Sequence, residues 1–106
     1  MSTTAPRPRT QLQTLLEGLL GSNKVYFQPP ANLQIQYPCI VYNRDDAITQ
    51  YANNKPYDLN KRYQLTAIDR NPDSPVPDKI AALPLCTFDR HFAADNLNHD
   101  VFTIYF

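Results

Sequence analysis

Val101-Phe102-Thr103-Ile104-Tyr105-Phe106 closes the sequence with apolar side chains in both phases of a strand-like run. A strand with one wet face alternates apolar with polar residues, so this run is expected to be covered on both faces. A chain end is ordinarily frayed unless it is docked. The run is therefore expected in the body of a sheet or beneath a neighbouring subunit. That makes the protein a compact, sheet-based building block.

Working back from this strand, Leu85 to Phe92 reads as its hairpin partner, with Ala94 to Asn98 as the connection and His99 to Phe106 as the return. Before it, Asn71-Pro72-Asp73-Ser74-Pro75 is a turn into a short helix at about 75–83. Ser74 is its expected cap, prolines fill its first turn, and Val76, Ile80 and Leu83 form its stripe. Pro84 ends it, because the residue before a proline resists helical geometry. Lys61 to Asp69 is a strand with Tyr63, Leu65 and Ala67 on one face and Arg62, Gln64 and Thr66 on the other.

Nearer the start, Leu12, Leu15, Leu16, Leu19 and Leu20 recur at helical spacing and give one apolar stripe. Thr10 with Gln13 fits a capping box, and Gly21 fits a left-handed stop. Something flat and apolar, most simply a sheet, should lie against those leucines. Lys24 to Gln28 and Cys39 to Tyr42 are short strands separated by a Pro-containing loop. The order accommodates an α+β fold: a mixed or antiparallel sheet of about four to five strands, with both helices packed on one face. Residues 47–59, rich in Asn, Asp, Tyr and Lys, are expected to form a long hairpin arm with its tip near Ala52-Asn53-Asn54-Lys55-Pro56. Residues 1–8 are expected to be loose.

The 106 residues form one domain, just large enough for a single core. Ten Lys/Arg balance ten Asp/Glu, which argues against a dedicated nucleic-acid binder and leaves self-association unopposed. No stretch approaches the length of a membrane span, and no apolar signal core opens the chain, so a cytosolic protein is expected. In that compartment Cys39 and Cys86 are expected to be free thiols.

Asp89-Arg90-His91 and His99-Asp100 are the dense group of ionisable residues. On a hairpin the two histidines would approach its loop near Asp95, where they could bind a metal or act as an acid–base pair. The simpler expectation is a solvated hairpin end whose charges pair with one another. Gly18 and Gly21 are the only glycines and both belong to the first helix, so no phosphate-cradling loop exists. No nucleophile motif appears either, and no catalytic, cofactor-binding or metal-binding residue is assigned.

The arm carries more promise. Tyr42, Tyr51 and Tyr57, with Arg44, Asp45, Asp46, Lys55 and Lys61, combine aromatic anchors with both signs of charge. Specific protein contacts use that combination for area and orientation. These eight residues are the candidate subunit or partner interface. Long excursions from small domains are uncommon unless they bind something.

Two stretches carry a family resemblance. One is the leucine-striped helix running into Lys24-Val25-Tyr26-Phe27, a Pro-containing loop and Tyr37-Pro38-Cys39-Ile40-Val41-Tyr42. The other runs from Asp69-Arg70-Asn71-Pro72-Asp73 through Ile80 and Leu83 to Asp89-Arg90-His91-Phe92 and the closing strand. Over about residues 10–106 the chain resembles the tail terminator (tail completion) proteins of long-tailed bacteriophages and prophages.

The resemblance implies a virion protein that forms a ring, hexameric in the family. The ring caps the finished tail tube at its head-proximal end, stops polymerisation and meets the head connector. DNA passes through the channel without specific binding, and neither enzymatic activity nor a cofactor is implied. Such a protein resides in the host cytoplasm during assembly and makes no membrane contact. Ring closure implies a heterologous interface, and residues 43–61 are expected to reach a neighbouring subunit or the tail tube protein. A head–tail joining (neck) protein is the alternative in the same setting. From other classes come a small enzyme built on His91, His99, Asp89 and Asp95, and a monomeric adaptor.

Overall fold

The computed structural model describes residues 9–45 and 61–106. In chain order they form α1 (Arg9–Leu20), β1 (Val25–Phe27), β2 (Cys39–Arg44), β3 (Arg62–Asp69), α2 (Val76–Ala81), β4 (Cys86–Ala94) and β5 (Leu97–Tyr105). The five strands make one open sheet in the order β1-β2-β3-β5-β4. β1 runs parallel to β2 and every other neighbouring pair is antiparallel. The fold is α+β with a mixed sheet. The long arm expected between β2 and β3 falls on residues 46–60, outside the described residues.

The apolar residues share faces as the strand period requires. Val25, Ile40, Tyr42, Tyr63, Leu65, Ala67, Phe102 and Ile104 line one face, and Leu12 and Leu16 of α1 and Ile80 of α2 close over it in one core. Full burial of a leucine or isoleucine stabilises by roughly 1.5–3 kcal/mol, so these residues carry much of the fold. Both helices pack on this same face. Leu15 of the leucine stripe is exposed. It sits on the margin of a stripe wider than the strip of helix that the sheet covers.

The other face carries a smaller cluster, Cys39, Ile68 and Leu97, beneath Ile35 and Tyr37 of the β1–β2 loop. The Tyr37–Pro38 peptide in that loop is cis. β5 lies between β3 and β4, in the body of the sheet. Phe102 and Ile104 are buried on the helix face and Val101 on the opposite one, so the closing run is covered on both sides for most of its length. Tyr105 departs from that, with 42% of its surface exposed.

Three local expectations are corrected. Thr10 and Gln13 do not form a capping box, because α1 already includes Arg9 and Thr10, and the Gln13 amide is engaged with the sheet instead. The second helix begins at Val76, where the Ser74 hydroxyl accepts the Val76 N–H from just outside at 3.3 Å. The hairpin connection is only Asp95-Asn96, at φ of 54° and 63°. Asp and Asn tolerate left-handed geometry better than other non-glycine residues, so the two-residue turn forms and both strands extend to meet it. The expected stop at Gly21 is present, with φ of 81° and its N–H bonded to the Glu17 carbonyl at 2.8 Å.

Candidate interaction surface

Tyr42 was expected on the interface and is a core residue. It pairs with Leu65 across the sheet, beneath α1, and is fully buried. Its hydroxyl donates to Gln13 Oε1 at 2.6 Å and accepts from Arg9 Nη1 at 2.9 Å. Burial pushes the phenol pKa up, and the Arg9 hydrogen bond and charge pull it partly back. Gln13 Nε2 in turn donates to the Val25 carbonyl at 3.0 Å. Tyr42 thus ties helix to sheet and has no side-chain surface to offer a partner.

Of the other candidates, Arg44 is exposed at the end of β2 and Asp45 and Lys61 are half-buried. The Asp45 N–H donates to the Arg62 carbonyl at 2.8 Å, and Arg62 Nη2 donates to Asp45 Oδ2 at 3.0 Å. Lys61 and Phe106 exchange backbone hydrogen bonds at 3.3 and 2.9 Å. Asp46, Tyr51, Lys55 and Tyr57 lie outside the described residues.

The structure does not bring the two histidines together. Phe88 is opposite Phe102 and Arg90 is opposite Val101, so Asp89 is an extra residue and forms a β-bulge. Beyond it, His91 is opposite Asp100 and Phe92 is opposite His99. Neighbouring strand residues alternate faces, so His91 lies on the helix side and His99 on the open side. Each has its own partner. His91 Nδ1 is 2.8 Å from Asp100 Oδ1, while the His99 ring stacks on Phe92 at 4.6 Å and 9°. Asp89 Oδ2 accepts from Thr103 Oγ1 at 2.6 Å.

Among the described residues no three His, Cys, Asp or Glu side chains converge to hold a metal. Cys39 and Cys86 are free. Cys39 belongs to the cluster on the open side, whereas Cys86 packs against the helix-side core. Burial, helped by Asp69, pushes the Cys39 thiol up to about 12. A crevice between Leu20, Pro38, Asp69, Val76 and Asn98 leaves room for about one water molecule. No helix among the described residues is long and apolar enough to cross a membrane.

The surface that stands out is β4. It is the last strand of the sheet, nine residues long, and every residue after Cys86 is exposed. Among the described residues nothing pairs with its outer edge. Along the edge are large apolar side chains: Leu85 is 60% exposed, Phe88 49% and Phe92 40%. The opposite edge differs. β1 is three residues long, and the Val25 carbonyl already accepts from Gln13.

Sequence reasoning missed this edge. The signal lay in Asp89-Arg90-His91, an ionisable triplet between Phe88 and Phe92, a composition that edge strands use to limit unwanted pairing. Comparison with protein families, curated proteins and solved structures finds no match for this chain.

Proposed function

We propose that the chain is a tail terminator of a long-tailed phage or prophage. In this reading copies of it close into a ring on the finished tail tube, end its polymerisation and present the surface that receives the head connector. The observation that carries the reading is the β4 edge. A ring former must keep a surface unsatisfied in the isolated chain and complete it with a neighbour. A strand of nine residues that has no neighbour on its outer edge among the described residues, with Phe88 and Phe92 exposed along it and Leu85 exposed just before it, fits that need.

Two further features are consistent with it. The scaffold beneath α1 is tied by the Arg9–Tyr42–Gln13 hydrogen bonds, which suits a subunit that adds to a particle without refolding. The formal charge of zero suits a channel through which DNA slides without being held.

The test is electron microscopy of the purified protein mixed with tail tubes of the phage or prophage that encodes it. Ring-shaped density on one end of each tube is expected, together with an arrest of further tube growth. Bare ends, or decoration along the tube wall, would reject the proposal.

A further inference from the structure

We infer that the β4 edge is self-complementary: a second copy of this chain docks on it, antiparallel, about a two-fold axis between Asp89 and Arg90. The inference goes beyond the tail reading and does not rest on it. Three observations carry it.

The first is the effect of the bulge on the faces of the strand. Cys86 and Phe88 point to the helix side, as their pairing with Ile104 and Phe102 requires, and so do His91 and Ala93, opposite Asp100 and Asn98. Thr87, Asp89, Arg90 and Phe92 point to the open side, where Asp89 bonds Thr103 and Phe92 stacks on His99. Read outward from the midpoint of Asp89 and Arg90, the sides therefore run in the same order in both directions. A regular strand has no such symmetry about a point between two residues, because adjacent residues face opposite ways. With the bulge, the two-fold operation places helix side on helix side, and two sheets can join into one.

The second is charge. In this register Asp89 faces the partner's Arg90 and Arg90 faces the partner's Asp89. Among the described residues Arg90 makes no ion pair and only lies over the Phe92 ring at 5.8 Å. A shift of one position either way sets Asp89 against Asp89 or Arg90 against Arg90, and like charges directly opposite destabilise a sheet. The charges thus favour one register and oppose its neighbours.

The third is the edge itself. The outward backbone groups of β4 have no partner among the described residues, and exposed Phe88 and Phe92 stand beside them. In the pair Phe88 lies opposite the partner's His91, and Phe92 opposite the partner's Thr87. The short β1 edge offers no comparable run, because it is three residues long and partly capped. A two-fold pair uses one surface twice and cannot propagate a ring. If the tail reading also holds, pairing and ring closure compete for one edge.

The experiment is sedimentation of the full chain across micromolar to millimolar concentrations, compared with Arg90→Asp and the Asp89→Arg/Arg90→Asp double variant. Both positions are exposed, and circular dichroism checks the fold. The wild type is expected to move from 12.2 kDa towards twice that mass. Arg90→Asp should weaken pairing about tenfold, and the double variant should restore it. A second readout serves weak association. Ala93→Cys lies opposite the partner's Cys86 in this register and should give a disulfide-linked dimer under mild oxidation, lost when Cys86→Ser is added. Within one chain those positions are roughly 20 Å apart along the strand and cannot bridge. A mass indifferent to Arg90→Asp, or no linked dimer from Ala93→Cys, would overturn the inference. A free chain that stays at 12.2 kDa at every concentration yet forms rings on tail tubes would overturn it while leaving the tail reading standing.

Discussion

The two ends of this sheet answer the same problem in opposite ways. At one end β1 is three residues long, its Val25 carbonyl is capped by Gln13, and α1 lies over the neighbouring strand with Leu12 and Leu16 buried. At the other, β4 runs nine residues, α2 packs against it, only Cys86 is half-buried, and among the described residues no side chain bonds its outer edge. One end is sealed by side chains that reach across elements. The other is left to water or to a partner. Stability and interaction are thereby separated along a single sheet, and a substitution should register on one or the other.

The largest expected effect is at the sealed end. Leu16→Ala removes a fully buried side chain and should cost about 2–5 kcal/mol in denaturant unfolding, whereas Phe92→Ala on the open edge should cost under about 1 kcal/mol. Near-equal losses would mean that the two ends are not distinct in stability. Next comes Tyr42→Phe, which strips the hydroxyl from a buried site where Gln13 and Arg9 both depend on it. About 1–3 kcal/mol should be lost. A neutral result would mean that water replaces the hydroxyl and that the tie between helix and sheet is weaker than its geometry.

A pH titration sharpens the contrast from another side. The Cys39 thiol is raised from 9.0 to about 12 by burial, so the folded state holds its proton more tightly than the unfolded chain does. Its contribution is complete below pH 9 and is lost as pH rises from 9 towards 12. Cys39→Ala should flatten this alkaline decline, read as the urea midpoint against pH. The smallest effect belongs to the hairpin. Replacing His91 and His99 together by Gln should change stability by no more than about 1 kcal/mol, because their partnerships are exposed or half-exposed. Because His91 stands on the β4 edge and His99 does not, His99→Gln alone separates chemistry from contact. Assembly should be unchanged in it, and a normally folded His99→Gln protein that no longer functions would restore a chemical role for that histidine.

Much of the fold could be read from residue spacing, and the failures have local causes. The apolar phases of Val101 to Phe106 place β5 inside the sheet, and the leucine spacing places α1 on it. Tyr42 was misread because it stands next to Asn43 and Arg44 and looks like the root of a polar arm. Only its pairing with Leu65, a contact distant in sequence, shows that it points inward. The expectation that the hairpin's ionisable groups pair with one another is met by His91 and Asp100, but the expected approach of the two histidines to each other fails for a related reason. Strand period and turn length decide which side each takes, and both depended on a two-residue turn at Asp95-Asn96 and a bulge at Asp89. Neither leaves a strong mark in a single sequence. The edge status of β4 left one mark, the ionisable run Asp89-Arg90-His91, and that mark alone does not place a strand at the edge because strand order is set by all the pairings together.

Hydrogen exchange of β4, compared between the dilute free chain and the chain bound to tail tubes, tests the division most directly. In the free chain about half the amides of residues 86–94 should exchange quickly, since only those facing β5 are paired. On assembly those fast amides should become protected while α1 and β2 stay as they were. Protection that appears in α1 or β2 and leaves residues 86–94 unchanged would contradict the account.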